Sequence, residues 1–233
     1  KLVPDMELTI RDEDGNILPE GEKGEIVIKG PNVMHSYWKN EKATKETIRD
    51  GWLYTGDLGH MGHEGFLYVL GRFKSLLISN DGEKHSPEGI EETITEHTPL
   101  IEQMILHNNQ DPYTIGLVYI NKEKAKRLAE ENNVDLTKDE GKKKILDELN
   151  NTFNRYKADG EHPDLFPERW LPTTFAVLAE GFTEENKMLN STMKIVRGKI
   201  TEHYAETIAF LYTPAGKDIY NERNIAILNQ LFG

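Results

Sequence analysis

Apolar and polar positions alternate from the start of the chain. Met6, Leu8 and Ile10 are separated by Glu7 and Thr9, and Asp14-Gly15 follows with turn chemistry, so residues 6–18 read as a hairpin arm. Glu25 to Lys29 repeats the two-residue period after Gly21 and Gly24. Residues 40–49 are polar and suit one or two helical turns, which Asp50-Gly51 ends. A further strand, Phe66 to Leu70, follows the Glu64-Gly65 turn. Short strands at this spacing with glycine-rich turns predict a small β-rich, barrel-like unit, with Thr55-Gly56-Asp57 as a tight turn between two of its strands.

Past Arg72 the pattern changes. Leu76 to Ile78 suit a short buried strand, and Ser86-Pro87-Glu88 stand in the order of N-cap, first-turn proline and early carboxylate that a helix start prefers. Ile90 and Ile94 share one face of that helix. Met104 to His107 and Ile115 to Ile120 read as two strands joined by a turn at residues 109–112. Thr137 to Glu140 has the form of a capping box, and Ile145, Leu149, Phe153 and Tyr156 behind it make an apolar helical stripe. Thr173 to Ala179 suits a strand, Glu180 to Ser191 a polar loop, and Ile195 to Ala209 a helix. Pro214-Ala215-Gly216 is expected to end the compact part, with Ile225, Leu228, Leu231 and Phe232 spaced to dock as a short helix. The predicted fold class is therefore α+β: the β-rich unit first, then an α+β domain with helices packed on an open sheet. The expected boundaries are 1–71, 72–213 and a tail at 214–233.

Composition narrows the function. The 233 residues have room for one large or two modest domains. No run approaches the roughly 20 apolar residues of a membrane-spanning helix. A formal charge of −12 argues against nucleic-acid or anionic-membrane binding and favours small-molecule partners. Without cysteine there is no disulfide, thiolate nucleophile or cysteine-ligated metal, which fits a cytoplasmic location. The chain opens on Lys1 without a leader pattern, and it is expected to be a fragment of a longer protein.

Few residues carry chemistry on their own. Asp57 suits the two hydroxyls of a ribose, whereas the tripeptide alone favours an ordinary Asp serving its own turn. Arg72 has a surface ion pair as its plain alternative. Lys194, at or near a helix start, is unfavourably placed relative to the helix dipole, and a mobile ammonium there suits a phosphate or a developing oxyanion. A solvated lysine beside Arg197 and Lys199 is the local alternative. His60 and His63, with Glu64, lie in a short turn and lack an evident third ligand, so no metal site is assigned. Lys142-Lys143-Lys144 reads as a solvated helix face.

Taken in order, these segments resemble the adenylate-forming superfamily of acyl-CoA synthetases, luciferases and peptide-synthetase adenylation domains. GEIVIKGPNVMHSYWKNEKAT is similar to the segment before that family's Tyr-x-Thr-Gly-Asp motif, GWLYTGDLG to the motif itself, GRFKSLLI to its hinge, NDGEKHSPEGIEE to the turn and helix after it, and STMKIVRGKI to the region of its C-terminal lysine. The resemblance leaves out residues 121–170 and the tail. Gly-Glu-Lys after the hinge and Thr-Met-Lys near the end are most like long-chain fatty acyl-CoA synthetases. It implies activation of a carboxylic acid by ATP to an acyl-adenylate, then transfer to coenzyme A, with Mg2+ accompanying ATP. Asp57 and Arg72 would hold the nucleotide, Lys194 would act in adenylation, and Lys74 would be the hinge of a mobile C-terminal lid domain. Gly82, Glu83 and Lys84 would form the face offered to coenzyme A. Ser75, Ser79 and Thr192-Met193 depart from common family residues, the last replacing a Ser-Gly, and these departures bear mostly on the coenzyme A contacts.

The phosphate-binding loop and acid tunnel of the family have no counterpart here, so the chain is expected to need an N-terminal domain of the same protein and to lack turnover alone. A peptide-synthetase or reductase adenylation domain shares these motifs. A non-catalytic interaction domain that keeps the fold is the different-class alternative.

Overall fold

A computed structural model describes residues 3–233, the side chain of Lys74 excepted. The chain divides into two compact units, the first ending at Leu76 and the second running from Leu77 to Gly233.

The first unit is built on one antiparallel sheet. Strands β1 (Glu7–Arg11), β2 (Gly24–Lys29), β3 (Ile48–Arg49), β4 (Trp52–Met61) and β5 (Leu67–Arg72) pair so that β2 lies between β1 and β4, while β3 and β5 both pair with β4. Alternation puts Ile10, Ile26 and Leu58 inside. Helix α1 (Glu41–Thr47) is the short polar helix expected, and the Asn40 side chain caps it by accepting from the Ala43 amide at 3.0 Å.

Thr55-Gly56-Asp57 is not a turn between strands. It lies inside β4, where the register with β2 shifts between Glu25 and Val27. Three residues of β4 stand there against Ile26 alone, a bulge that Gly56 permits by taking φ +73. Glu25 Oε1 accepts from the Gly56 amide at 2.8 Å, and Thr55 Oγ1 donates to the Ile26 carbonyl at 2.7 Å. His60 also lies within β4 and stacks on Tyr68 at 4.9 Å, whereas His63 sits in the exposed turn beyond, 3.3 Å from Glu20.

The second unit opens with the two-stranded ribbon β6 (Leu77–Ile78) and β7 (Lys84–His85), then helix α2 (Glu88–His97). Its centre is the sheet of β8 (Ile101–His107), β9 (Ile115–Ile120) and β10 (Thr174–Val177), in the order β10-β9-β8. β8 runs antiparallel to β9, and β10 runs parallel to it. A parallel partner requires a crossover. Residues 121–173 supply it, with α3 (Lys122–Glu131) and α4 (Asp139–Asn154). The chain continues through α5 (Arg197–His203), α6 (Ala205–Leu211), α7 (Pro214–Lys217) and α8 (Glu222–Phe232).

The sheet is buried on both faces, and the alternation sorts its residues. Met104, Leu106, Val118, Ile120, Phe175 and Val177 join one core with Ile145, Leu149 and Phe153 of α4 and Leu228 of α8. Ile105, Ile115, Leu117, Ala176 and Leu178 join the other, with Ile200, Ile208 and Leu211 of α5 and α6.

Several local expectations give way to competing bonds. Thr137 does not cap α4; its hydroxyl donates to Asp135 Oδ1 at 2.7 Å, and Lys138 takes the cap position. Ser86 likewise spends its hydroxyl on the Glu88 carboxylate, and Pro87 is the N-cap of α2. Lys142 is buried rather than solvated, because its place on α4 turns it inward, with Nζ 3.4 Å from Asp139 Oδ1. The single helix expected from Ile195 to Ala209 is two, broken at Tyr204. Pro214-Ala215-Gly216 does not end the packing: Thr174 Oγ1 donates to the Gly216 carbonyl at 3.1 Å, and α8 docks beyond it.

Candidate functional site

Two sets of residues carry candidate chemistry, one in each unit.

In the first unit, Asp57 and Arg72 are cross-strand partners in the β4–β5 ladder. Arg72 Nη1 lies 2.5 Å from Asp57 Oδ1. The bulge at Gly56 and the shifted register after Leu58 flank this pair and fix the direction of the Asp57 side chain. The Asp57 carboxylate is about a third exposed, at 35%. An ionised carboxylate has about four acceptor sites, so pairing with one guanidinium nitrogen leaves it able to receive hydroxyl donors. Lys74 lies in the turn of 3-10 helix Phe73–Ser75 that follows β5; its side chain is outside the described residues.

In the second unit, residues 79–83 connect the ribbon strands β6 and β7. Gly82 takes φ +84 at the exposed tip, where its amide donates to the Ser79 carbonyl at 2.9 Å. The Ser79 amide donates to the Glu83 carbonyl at 2.9 Å, so Ser79 fixes the turn through its backbone. Glu83 does not face solvent freely. Its Oε2 accepts from Trp170 Nε1 at 2.9 Å and from Arg169 Nε at 2.7 Å, and these bonds hold its carboxyl below the usual range, against the partial burial that raises it. Next to it, His85 is buried and stacked on Trp170 at 4.5 Å with ring planes 2° apart. Burial pushes His85 down to about 4. The Gly82 turn is thus braced by residues 169–170, which nothing in the sequence pattern linked to it; Gly82 and Lys84 are the exposed members of the trio.

Lys194 is exposed and lies in a loop three residues ahead of α5, not on the helix. The cation at that helix start is Arg197, and it is compensated. Its Nη2 donates to Glu91 Oε2 of α2 at 2.7 Å, and its Nη1 donates to the Leu106 carbonyl of β8 at 2.9 Å. Glu91 Oε1 closes the clasp by accepting from the Leu106 amide at 2.6 Å.

The polar loop before Lys194 is ordered by its amide side chains. Gln103 of β8 accepts from the Phe182 amide at 2.6 Å and donates to the Phe182 carbonyl at 3.1 Å. Asn186 accepts from the Thr183 and Met188 amides at 3.0 and 3.2 Å. Asn190 accepts from the Lys194 amide at 3.0 Å. The clustering of Asn in ENKMLNSTMK was the available signal for such a knot.

Comparison with known proteins gives these geometries a family context. Residues 1–38 match the family model described as AMP-binding enzyme. A 2-succinylbenzoate–CoA ligase from Bacillus cytotoxicus is 47% identical over 102 residues, which is 44% of this chain and 21% of the relative. A long-chain-fatty-acid–CoA ligase from Mycobacterium tuberculosis is 29% identical over 205 residues, 85% of this chain and 32% of the relative. The chain therefore spans about a fifth to a third of the length of these relatives.

Among solved structures, the O-succinylbenzoate coenzyme A synthetase from Bacillus subtilis in complex with AMP is 27% identical over 85% of this chain and 34% of that one, with a TM-score of 0.55. The adenylation domain of a carboxylate reductase from Mycobacterium chelonae shares the fold, with a TM-score of 0.70 and 24% identity over 90% of this chain and 31% of that one.

Proposed function

We propose, for a chain that takes its place among the adenylate-forming enzymes, that it is the C-terminal part of an ATP-dependent acid–CoA ligase acting in the cytoplasm on a long-chain fatty acid. The observation that carries the reading is the fatty-acid ligase match, which extends along 85% of the chain. The ordered motifs around Asp57, Arg72 and Lys194 lie in a fold with the same α+β architecture as the AMP-bound synthetase.

In this reading Asp57 accepts hydrogen bonds from the ribose hydroxyls, and Arg72 holds Asp57 in place and adds positive charge. Lys194 supplies a mobile ammonium where the acid carboxylate attacks the α-phosphate: the carboxylate oxygen forms the new bond to phosphorus and pyrophosphate leaves. Charge that grows in that transition state is what a positioned cation stabilises. In the second half-reaction the thiol of coenzyme A attacks the acyl carbon, AMP leaves, and the Gly82 turn with Lys84 faces the incoming nucleotide thiol. Lys74, between the two sets, is the hinge that lets one polypeptide offer first Lys194 and then the turn. Mg2+ arrives with ATP; among the described residues no group of three His, Asp or Glu side chains is arranged to hold it, and no step is assigned to it. Among the described residues no helix is long and apolar enough to cross a membrane.

The experiment is a substrate panel on the full-length protein, following pyrophosphate release with saturated acids of increasing length and with 2-succinylbenzoate. Rising activity with chain length supports the fatty-acid reading. The 47% identical stretch favours a second reading, an aryl acid substrate, and a preference for 2-succinylbenzoate would establish it instead. No release with any acid would point to a non-catalytic interaction domain.

A further inference from the structure

We infer that Asn190 is a positioning residue for Lys194, holding a strained turn that aims the lysine; this rests on the reading of Lys194 as the adenylation lysine. Asn190 Oδ1 accepts from three donors at once: the Thr192 amide at 2.9 Å, the Thr192 hydroxyl at 2.8 Å and the Lys194 amide at 3.0 Å. Its backbone adds two more bonds, with the Asn190 amide donating to the Lys194 carbonyl and the Met193 amide donating to the Asn190 carbonyl, both at 2.9 Å. Every residue from Thr192 to Lys194 is therefore tied to Asn190.

The knot has a reason to exist. Met193 takes φ +61, a left-handed conformation that glycine adopts freely and an unbranched side chain adopts at a cost. Met193 is also 67% exposed, so no packing holds it there. The hydrogen bonds to Asn190 are what oppose relaxation of the turn. Relaxing Met193 to negative φ would rotate the peptide that carries the Lys194 amide and redirect the lysine side chain.

The ends of the turn are fixed to the body of the unit, so its conformation sets direction rather than merely shape. Leu189 and Ile195 form a bridge, the Val196 amide donates to the Met188 carbonyl at 2.8 Å, and Met188 and Leu189 are buried. Beyond Val196, Arg197 is held in its clasp with Glu91. A lysine on so short a span between two anchors changes direction only through residues 190–194. Misplacing a reacting group by about 1 Å costs on the order of 100-fold in rate.

The test separates this role from simple stability. Asn190→Asp keeps an acceptor oxygen at the same place; Asn190→Ala removes it. In the full-length protein, acyl-adenylate formation is expected to fall about 10- to 100-fold in Asn190→Ala. It should stay within about threefold of the parent in Asn190→Asp, while thioester formation from supplied acyl-adenylate holds in both. Adding Met193→Gly to Asn190→Ala should restore part of the loss, because glycine needs no clamp at φ +61. In the present chain, amide exchange at Lys194 should speed up in Asn190→Ala and remain slow in Asn190→Asp. Unchanged adenylation in Asn190→Ala, or an equal loss in both half-reactions, would overturn the inference. So would unchanged Lys194 amide exchange. A parent protein that forms no adenylate counts against the ligase reading; faster Lys194 exchange in Asn190→Ala would then still support Asn190 as the residue that fixes the lysine.

Discussion

Glu91 and Arg197, 106 residues apart in the chain, meet inside the second unit with Arg197 Nη2 2.7 Å from Glu91 Oε2 and side chains 8% and 14% exposed. Burial pushes the Glu91 carboxyl up, while the Arg197 charge and the hydrogen bonds from Arg197 and Leu106 pull it down. The pair joins α2, β8 and the start of α5. Replacing one partner leaves the other charge buried without compensation, which typically costs about 3–5 kcal/mol. Arg197→Leu is therefore expected to lower the denaturant midpoint strongly. Glu91→Leu combined with Arg197→Leu should recover part of that loss, but not all, because the Leu106 amide and carbonyl lose their partners. Chemical denaturation of both variants measures the difference.

The Asp57–Arg72 pair makes the opposite prediction. Both side chains are substantially exposed, at 35% and 62%, so their attraction contributes less than about 1 kcal/mol to folding. Asp57→Ala should leave the melting temperature of the full-length protein nearly unchanged. AMP affinity should fall about 10- to 100-fold, the equivalent of one hydrogen bond to a charged group at roughly 1.5–3 kcal/mol. Calorimetric titration with AMP beside a thermal melt separates the two effects.

His85 should make the chain acid-sensitive. Its ring nitrogens have no hydrogen-bond partner among the described residues, and it faces Trp170 with Glu83, Arg169 and Asp81 nearby. Burial depresses its pKa from 6.5 to about 4, Glu83 and Asp81 pulling it up and Arg169 down. Between those values the unfolded chain takes up the proton and the folded chain does not. Stability therefore falls as pH drops through that window, by at most about 1.4 kcal/mol per unit from this group. His85→Phe keeps an aromatic ring against Trp170 and removes the titration, so its unfolding free energy should drop less between pH 7 and pH 5. Equal drops in the two proteins would contradict the assignment.

Asn224 ties the C-terminal helix to the central sheet. Its Oδ1 accepts from the Val177 amide at 2.8 Å, and its Nδ2 donates to the Phe175 and Ile219 carbonyls at 3.1 and 2.9 Å. Asn224→Leu strands these buried backbone groups beside β10, and a loss of about 1–3 kcal/mol is expected from equilibrium denaturation.

The sequence showed the elements whose information is local and periodic. The strands at 104–107, 115–120 and 174–177 read as nearly unbroken apolar runs because both faces of that sheet are buried, so successive residues answer to opposite cores. Features that depend on a distant partner were hidden. The tripeptide Thr55-Gly56-Asp57 has turn composition, and only its pairing with β2 makes it a bulge within a long strand. Thr137 and Ser86 fail as caps for a local reason instead: carboxylates two residues away, Asp135 and Glu88, take their hydroxyls, a competition that capping composition does not weigh. Arg169 and Trp170 lie 86 and 87 residues from Glu83, and no spacing rule connects them. The motif resemblance groups Asp57 with Arg72, but their direct contact follows only from the strand register that places them opposite each other.

The central claim, that Lys194 serves adenylation and not thioester formation, is tested most directly by Lys194→Ala in the full-length protein with each half-reaction measured alone. Acid-dependent pyrophosphate release should fall by about 100- to 1000-fold, as expected when one charge-stabilising group is removed from a transition state. Thioester formation from supplied acyl-adenylate and coenzyme A should stay close to the parent rate. Pyrophosphate release at the parent rate, or an equal collapse of both half-reactions, would contradict the account.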